Sequence, residues 1–439
     1  MVLLKEFDRR DPSEVGRELH SFASQLYPIC RSITGDGIRR TLALIHSRVP
    51  LQTIEVNSGT PVFDWTVPKE WNIRDAYIKD PHGQRVVDFQ QCNLHVMSYS
   101  TPLRATMTLG QLKPHLFTLP ESPDWIPYRT SYYQENWGFC LSHKRMLALE
   151  DVEYEVCVDS TLEDGSLTYG ECYLPGRSAD EVLISCHACH PSLANDNLSG
   201  LTVAVFLAQL LSGQDHYYSY RFLFVPGTIG AITWLAHNRE TAGRIRHGLV
   251  LTSIGDAGAF HYKKSRRGNT EIDRAVAQVL RHHSESAAIL DFSPDGYDER
   301  QYCSPGFNLP VGCLMRSVWG KFPEYHTSAD NLEFIKSEKL AESARVCAAT
   351  LDVLENNLRY CSHNPFCEPQ LGRRGLYQTA GGDSGRRELS ARLWVLNLSD
   401  GDHSLLDIAE RSGLPFSTIA DAANLLSQCG LLSVAPNVR

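Results

Sequence analysis

The residues 186–200, CHACHPSLANDNLSG, put two histidines and an aspartate into one short stretch. Imidazoles suit zinc, and a carboxylate adds a hard oxygen ligand, so His187 and Asp196 are candidate metal ligands. Asn195 and Asn197 flank the aspartate and are expected to orient it by hydrogen bonds, with His190 in the same supporting role. One histidine alone would be read as structural; two with an aspartate shift the balance to a metal. Asp256 follows the apolar run Leu249–Ile254, and Glu324-Tyr-His-Thr-Ser-Ala-Asp330 brings His326 with Asp330 nearby. His187, Asp196, Asp256 and His326 then form a ligand set drawn from separate strand ends. Cys186 and Cys189 make a lone C-x-x-C without a second pair at finger spacing, which is a weak metal signal.

These residues need a scaffold that delivers them to one place. The run Val182-Leu-Ile184 predicts a buried strand before the loop, and Leu201–Leu211 predicts a buried helix after it. From Tyr154 to about Arg359 such strands and helices alternate. That rhythm predicts an α/β fold, a mostly parallel sheet with helices on both faces, whose strand carboxyl ends form the binding crevice. Residues 1–52 add outer helices, one capped by Asp11-Pro-Ser-Glu14. The chain from 53 to 154 changes to short strand-like pieces and turns, a small β-rich insertion ending in the aromatic segment Trp125–Phe139. Those aromatics fit either the wall of a pocket or the core of the inserted sheet. Residues 361–439 carry a helix, Gly turn, helix pattern expected of a C-terminal winged helix. The expected organisation is thus 1–52 with 155–360, then 53–154, then 361–439.

The order of motifs, His187 to Asp196-Asn-x-Ser-Gly, Asp256 after a strand, then Tyr325-His-Thr-x-x-Asp, resembles the zinc aminopeptidases of the bacterial leucyl aminopeptidase and glutamate carboxypeptidase group. In that group the first His, the Asp and the later Asp hold one zinc; the same Asp, a Glu and the last His hold a second. The resemblance implies one or two zinc ions at His187, Asp196, Asp256 and His326. Within the group, the chain is similar to aminopeptidase-like proteins that combine a β insertion, a Gly-Tyr-Asp-Glu-Arg-Gln signature, here at Gly296–Gln301, and a carboxy-terminal winged helix. Genes for such proteins often lie beside those for polysaccharide or natural-product biosynthesis.

One departure is legible. Where the peptidases carry Glu-Glu, as base and ligand, this chain has Gly227-Thr228 in Val225-Pro-Gly-Thr-Ile-Gly230. Three readings follow: Glu299 or Glu324 supplies the base, one zinc suffices, or the scaffold serves other acyl chemistry or binding only. Glu299 is the expected base or amine anchor. Arg300, with Tyr297 and Tyr302 in the same Tyr-rich loop, is the expected substrate-binding group. The competing reading of Glu299-Arg300 is a surface ion pair.

Composition bounds the remaining possibilities. With 439 residues, 42% hydrophobic, 21% charged and a net charge of -9, the chain reads as soluble and globular, without a nucleic-acid footprint. The helix Ser417–Gln428 has Asp421 and no Lys or Arg, so dimerisation or partner docking suits the winged helix better than DNA; the inserted domain is the other candidate dimer surface. No apolar run approaches a membrane span, no signal peptide is legible, and thirteen scattered cysteines suit a reduced, cytoplasmic setting. Gly382-Asp-Ser-Gly385 echoes a serine-hydrolase string but lacks supporting His and Asp. The expectation is a zinc-dependent aminopeptidase-like hydrolase acting on an amide or peptide bond of a small, amino-acid-containing substrate within a biosynthetic pathway.

Overall fold

The computed structural model describes residues 3–283, 286–376 and 383–436; the Gly382–Gly385 string falls outside the residues whose side chains are described. The chain divides into two compact units. One comprises Asp11–Gly268 and Leu290–Ala344; the other comprises Met1–Arg10, Asn269–Ile289 and Arg345–Arg439.

The first unit is built on a sheet of strands β1 (Gln52–Asn57), β2 (Ser166–Leu174), β3 (Glu181–His187), β4 (Ser219–Val225), β5 (Ile245–Leu251), β6 (His261–Lys263) and β7 (Val311–Met315). They follow the order β1-β2-β4-β3-β5-β7-β6. The centre, β4-β3-β5-β7, is parallel, and β1, β2 and β6 join it antiparallel at the margins. Every residue of β3 and β4 is buried, as continuous apolar runs require in strands covered on both faces. Arg221 lies within β4, and its charge is met by Glu181 at 2.7 Å and by Glu171.

Register brings the functional loops together. His187 ends β3 opposite Val225 of β4, so residues 226–228 leave the sheet beside it. Asp256 follows β5, the neighbour on the other side. The helix Gly200–Leu211 packs under the loop and is buried at all positions but Gln209. Its first residue must be glycine: a Cβ there would stand 2.5 Å from the Leu251 carbonyl oxygen and 2.4 Å from Asn197 Oδ1. The helix Pro12–Leu26 starts as its sequence predicts, with the Asp11 side chain accepting from the Ser13 N–H. Strands Arg85–Asp88, Glu70–Lys79, Glu153–Glu163 and Leu103–Thr108 form, in that order, a separate antiparallel sheet.

In the second unit, helices Asp383–Leu398, Leu405–Ser412 and Phe416–Gln428 and a three-stranded sheet make the winged helix. The helix Glu271–His283 belongs to this unit, and its Arg274 bonds Asp407 and Glu410. The thirteen cysteines are free thiols. Among the described residues no helix is long and apolar enough to cross a membrane.

Candidate metal centre and its pocket

Asp196 is fully buried at the base of the loop after β3, and three imidazoles converge on it. His187 Nε2 lies 2.7 Å from its Oδ1, His326 Nε2 lies 3.0 Å from its Oδ2, and His190 Nδ1 lies 3.4 Å from Oδ2. The ligand atoms of His187, His190 and Asp196 all fall within 4.8 Å of one another. Donor atoms this close suit ligands that each sit about 2.0–2.2 Å from a shared zinc. His187 Nδ1 is in addition buried without a partner. The residues therefore fit a metal ion. Burial would push the Asp196 carboxyl up, but the neighbouring His190 and His187 outweigh it and hold the carboxyl well below its usual range. Burial lowers the pKa of His326, and its bond to Asp196 offsets part of that shift.

The loop is held by its neighbours. Asp330 Oδ1 and Oδ2 accept from the Asn195 and Asp196 N–H groups, at 2.6 and 3.0 Å. Asn197 donates to the Leu251 carbonyl and accepts from the Gly200 N–H. Asn195 Nδ2 donates to Asp256 Oδ2 at 2.7 Å, and its Oδ1 accepts from the Gly255 N–H. Asp256 Oδ1 accepts from Ser317 and from the Gly258 N–H. Asp256 is thus committed to Asn195 and its own turn, and it is not in the His–Asp cluster. His190, assigned by sequence to a supporting role, is in that cluster. The histidine lies three residues beyond His187 along the chain, and only the packed loop shows which way its ring faces.

Tyrosines fix the imidazoles. Tyr297 stacks on His187 with centroids 4.7 Å apart, Tyr325 stacks on His326 at 3.9 Å, and the two phenols bond at 3.3 Å. Tyr128, from the inserted aromatic segment, meets His190 and His326 edge-on, and its N–H donates to the His326 carbonyl. His326 adopts φ 56, a costly region for a non-glycine residue, and this contact helps hold it there. Beside the cluster opens a cavity of about 400 Å³, walled in part by Trp65, Tyr132, Tyr133 and Tyr297. The aromatic segment therefore contributes to the pocket wall. Its members were ambiguous in sequence because strand cores and pocket walls use the same residues.

The Gly296–Gln301 signature splits by function. Arg300 lines the cavity, and its Nε is buried without a partner. Tyr302 does not: it is buried, with its hydroxyl 2.9 Å from that of Ser185 in β3, so it packs the core instead of meeting substrate. Glu299 is also turned inward. Its Oε1 lies 2.5 Å from Lys263 Nζ in a pair that is 0% and 1% exposed, and it does not line the cavity. The residue before Glu299, Asp298, does line it, and the sequence reading passed over it. The adjacent acidic residue and the alternation of facing directions in a tight turn hid which of the two looks outward.

Comparison with known proteins places this architecture. Residues 20–357 match the family described as Domain of unknown function (DUF4910), and residues 359–434 match a winged helix-turn-helix family. The chain belongs to the DUF4910 family. It is 52% identical over 426 residues, 97% of this chain and 98% of the relative, to a Clostridium acetobutylicum protein named for polysaccharide biosynthesis and an aminopeptidase-like domain. A Clostridium acetobutylicum crystal structure bearing a peptidase name superposes with TM-score 0.94 at 50% identity, covering 98% of this chain and 100% of that one. The zinc aminopeptidase of Bacillus subtilis matches at TM-score 0.56 and 14% identity, over 78% of this chain and 95% of that one. A peptidase M28 precursor from Shewanella amazonensis matches at 0.56 and 13%, over 81% and 97%. The DUF4910 member thus has an aminopeptidase-like α/β fold with a winged helix attached.

Proposed function

We propose that the chain is a metal-dependent hydrolase that cleaves an amide or peptide bond in a small, amino-acid-containing substrate, within a biosynthetic pathway of the kind named for its Clostridium relative. The observation that carries this is the convergence of His187, His190 and His326 on buried Asp196 beside a cavity. Those four residues would hold zinc, and the chemistry such an ion supplies is Lewis-acid polarisation of a carbonyl. Tyr297 and Tyr325 keep the imidazole planes in place, and the aromatic wall limits water around the bound substrate. Arg300 is positioned to meet an anionic group of the substrate.

The test is metal analysis of protein purified without chelator, followed by turnover of a panel of aminoacyl anilides with and without added zinc. Stoichiometric zinc and zinc-dependent release of the aniline are expected, both lost in His326→Ala. Protein that takes up no metal, or that hydrolyses none of the panel with zinc added, would sink this reading. A second reading, binding or other acyl chemistry, is favoured by one feature: neither Gly227 nor Thr228 carries a carboxylate.

A further inference from the structure

A hydrolase needs a group to take the proton of the attacking water, and among the described residues a single carboxylate, Asp298, lines the cavity beside the His–Asp cluster. This residue is 1% exposed. Its Oδ1 accepts from the Thr228 N–H at 2.8 Å, while its Oδ2 is buried with no partner. Thr228 is held at φ 65, a strained conformation for a β-branched residue, with its N–H given to this carboxylate. The preceding Gly227 leaves the turn close to the metal ligands: a Cβ there would lie 3.5 Å from His187 Cβ and 3.2 Å from Cys189 Sγ. Asp298 therefore reaches, from another segment, the turn that runs against His187 and has no carboxylate of its own. Glu299 is not available for the task, since Lys263 holds it in the core.

We propose that Asp298 is the proton-accepting carboxylate of this site. The assignment rests on the hydrolase reading above. As the oxygen of water bonds to the amide carbonyl carbon, Oδ2 takes one proton from it. The C–N bond then breaks as that proton passes to the departing nitrogen. One water is consumed, an acid and an amine leave, and Asp298 returns to the carboxylate. An unpartnered buried oxygen is costly in a purely structural aspartate, and it is what a transient proton site requires. The groups around it are Glu299, Arg300 and Tyr302 on its own segment, the Thr228 N–H, and Cys189 and Cys313 from the packed elements. Burial chiefly, with Glu299 adding to it against the Thr228 bond and Arg300, pushes the carboxyl up to about 7, near the value a base at neutral pH needs.

The experiment compares the zinc-loaded full chain with Asp298→Asn and Asp298→Glu, reading zinc per chain, kcat on aminoacyl anilides and the pH profile. Expected are wild-type zinc content in both variants and a kcat roughly 10²–10⁴-fold lower for Asp298→Asn. Asp298→Glu should recover part of the rate with a displaced acid limb. A folded, zinc-replete Asp298→Asn within about threefold of wild type overturns the assignment while leaving the hydrolase reading intact. Should Asp298→Asn not fold, an Asp298→Glu enzyme with the wild-type acid limb overturns it equally. A wild-type protein that hydrolyses no anilide fails the hydrolase reading and takes this assignment with it.

Discussion

In the loop 186–200, Asp196 meets three imidazoles, and Asn195 and Asn197 close bonds to neighbouring backbone. In the segment 295–300, by contrast, Asp298 and Arg300 each keep a buried atom without a partner. The first region is an assembled receptacle, held from Asp330, Leu251 and Asp256. The second presents polar atoms to a cavity and is held at Glu299 by Lys263 and at Asp298 by the Thr228 N–H. Lys263 also donates to the carbonyls of Ser293 and Asp295, so one ammonium group anchors the start of the segment as well. The contrast is between two carboxylates: Asp196, met from several sides as binding of an ion rewards, and Asp298, which keeps one oxygen open as proton transfer needs.

Substitutions sharpen that contrast, beginning with the largest effect. Asp196→Asn should abolish metal uptake and lower anilide turnover by roughly 10³-fold or more. Metal content measured beside the rate checks it, and retained zinc would break the receptacle half of the comparison. Glu299→Gln leaves a buried ammonium unpaired and should destabilise the fold by about 3–5 kcal/mol in denaturant unfolding. The double change Lys263→Met with Glu299→Leu should recover most of that loss, because both charges are removed.

The third prediction concerns pH. The Asp298 carboxyl is raised from 3.8 to about 7 on folding. Its contribution to stability is therefore fully present below pH 3.8 and is lost as pH rises through about 7. Asp298→Asn has no such loss, so its stability relative to wild type should increase between pH 5 and pH 8, by on the order of 2 kcal/mol. Melting curves at the two pH values decide it; a constant difference would mean that Asp298 ionises without penalty. Smaller again is Arg274→Ala in the winged-helix unit. That guanidinium is about a third exposed, so removing its bonds to Asp407 and Glu410 should cost about 1 kcal/mol, read as a small shift in the unfolding midpoint.

Much of the scaffold was legible before any coordinates. Apolar runs such as Val182–Ile184 and Leu201–Leu211 carry the periodicity of buried elements, and β3 and the following helix lie there. His187, Asp196 and His326 could be picked out because metal-ligand chemistry restricts residue type. Asp256, His190, Glu299 and Tyr302 show where that reasoning stops. Residue type admits each of them to the site, yet Asn195 engages Asp256, Lys263 draws Glu299 inward, and Ser185 receives Tyr302.

By itself, then, the sequence determined the alternation of strand and helix, the loop that carries the ligands and the loss of carboxylates at Gly227-Thr228. Those depend on local pattern and residue chemistry. Only the tertiary structure decided that Asp298, not Glu299, faces the cavity, and that His190 joins the cluster. Direction within a turn is set by whichever distant group can satisfy each side chain, and neither Lys263 nor Thr228 is near its partner along the chain.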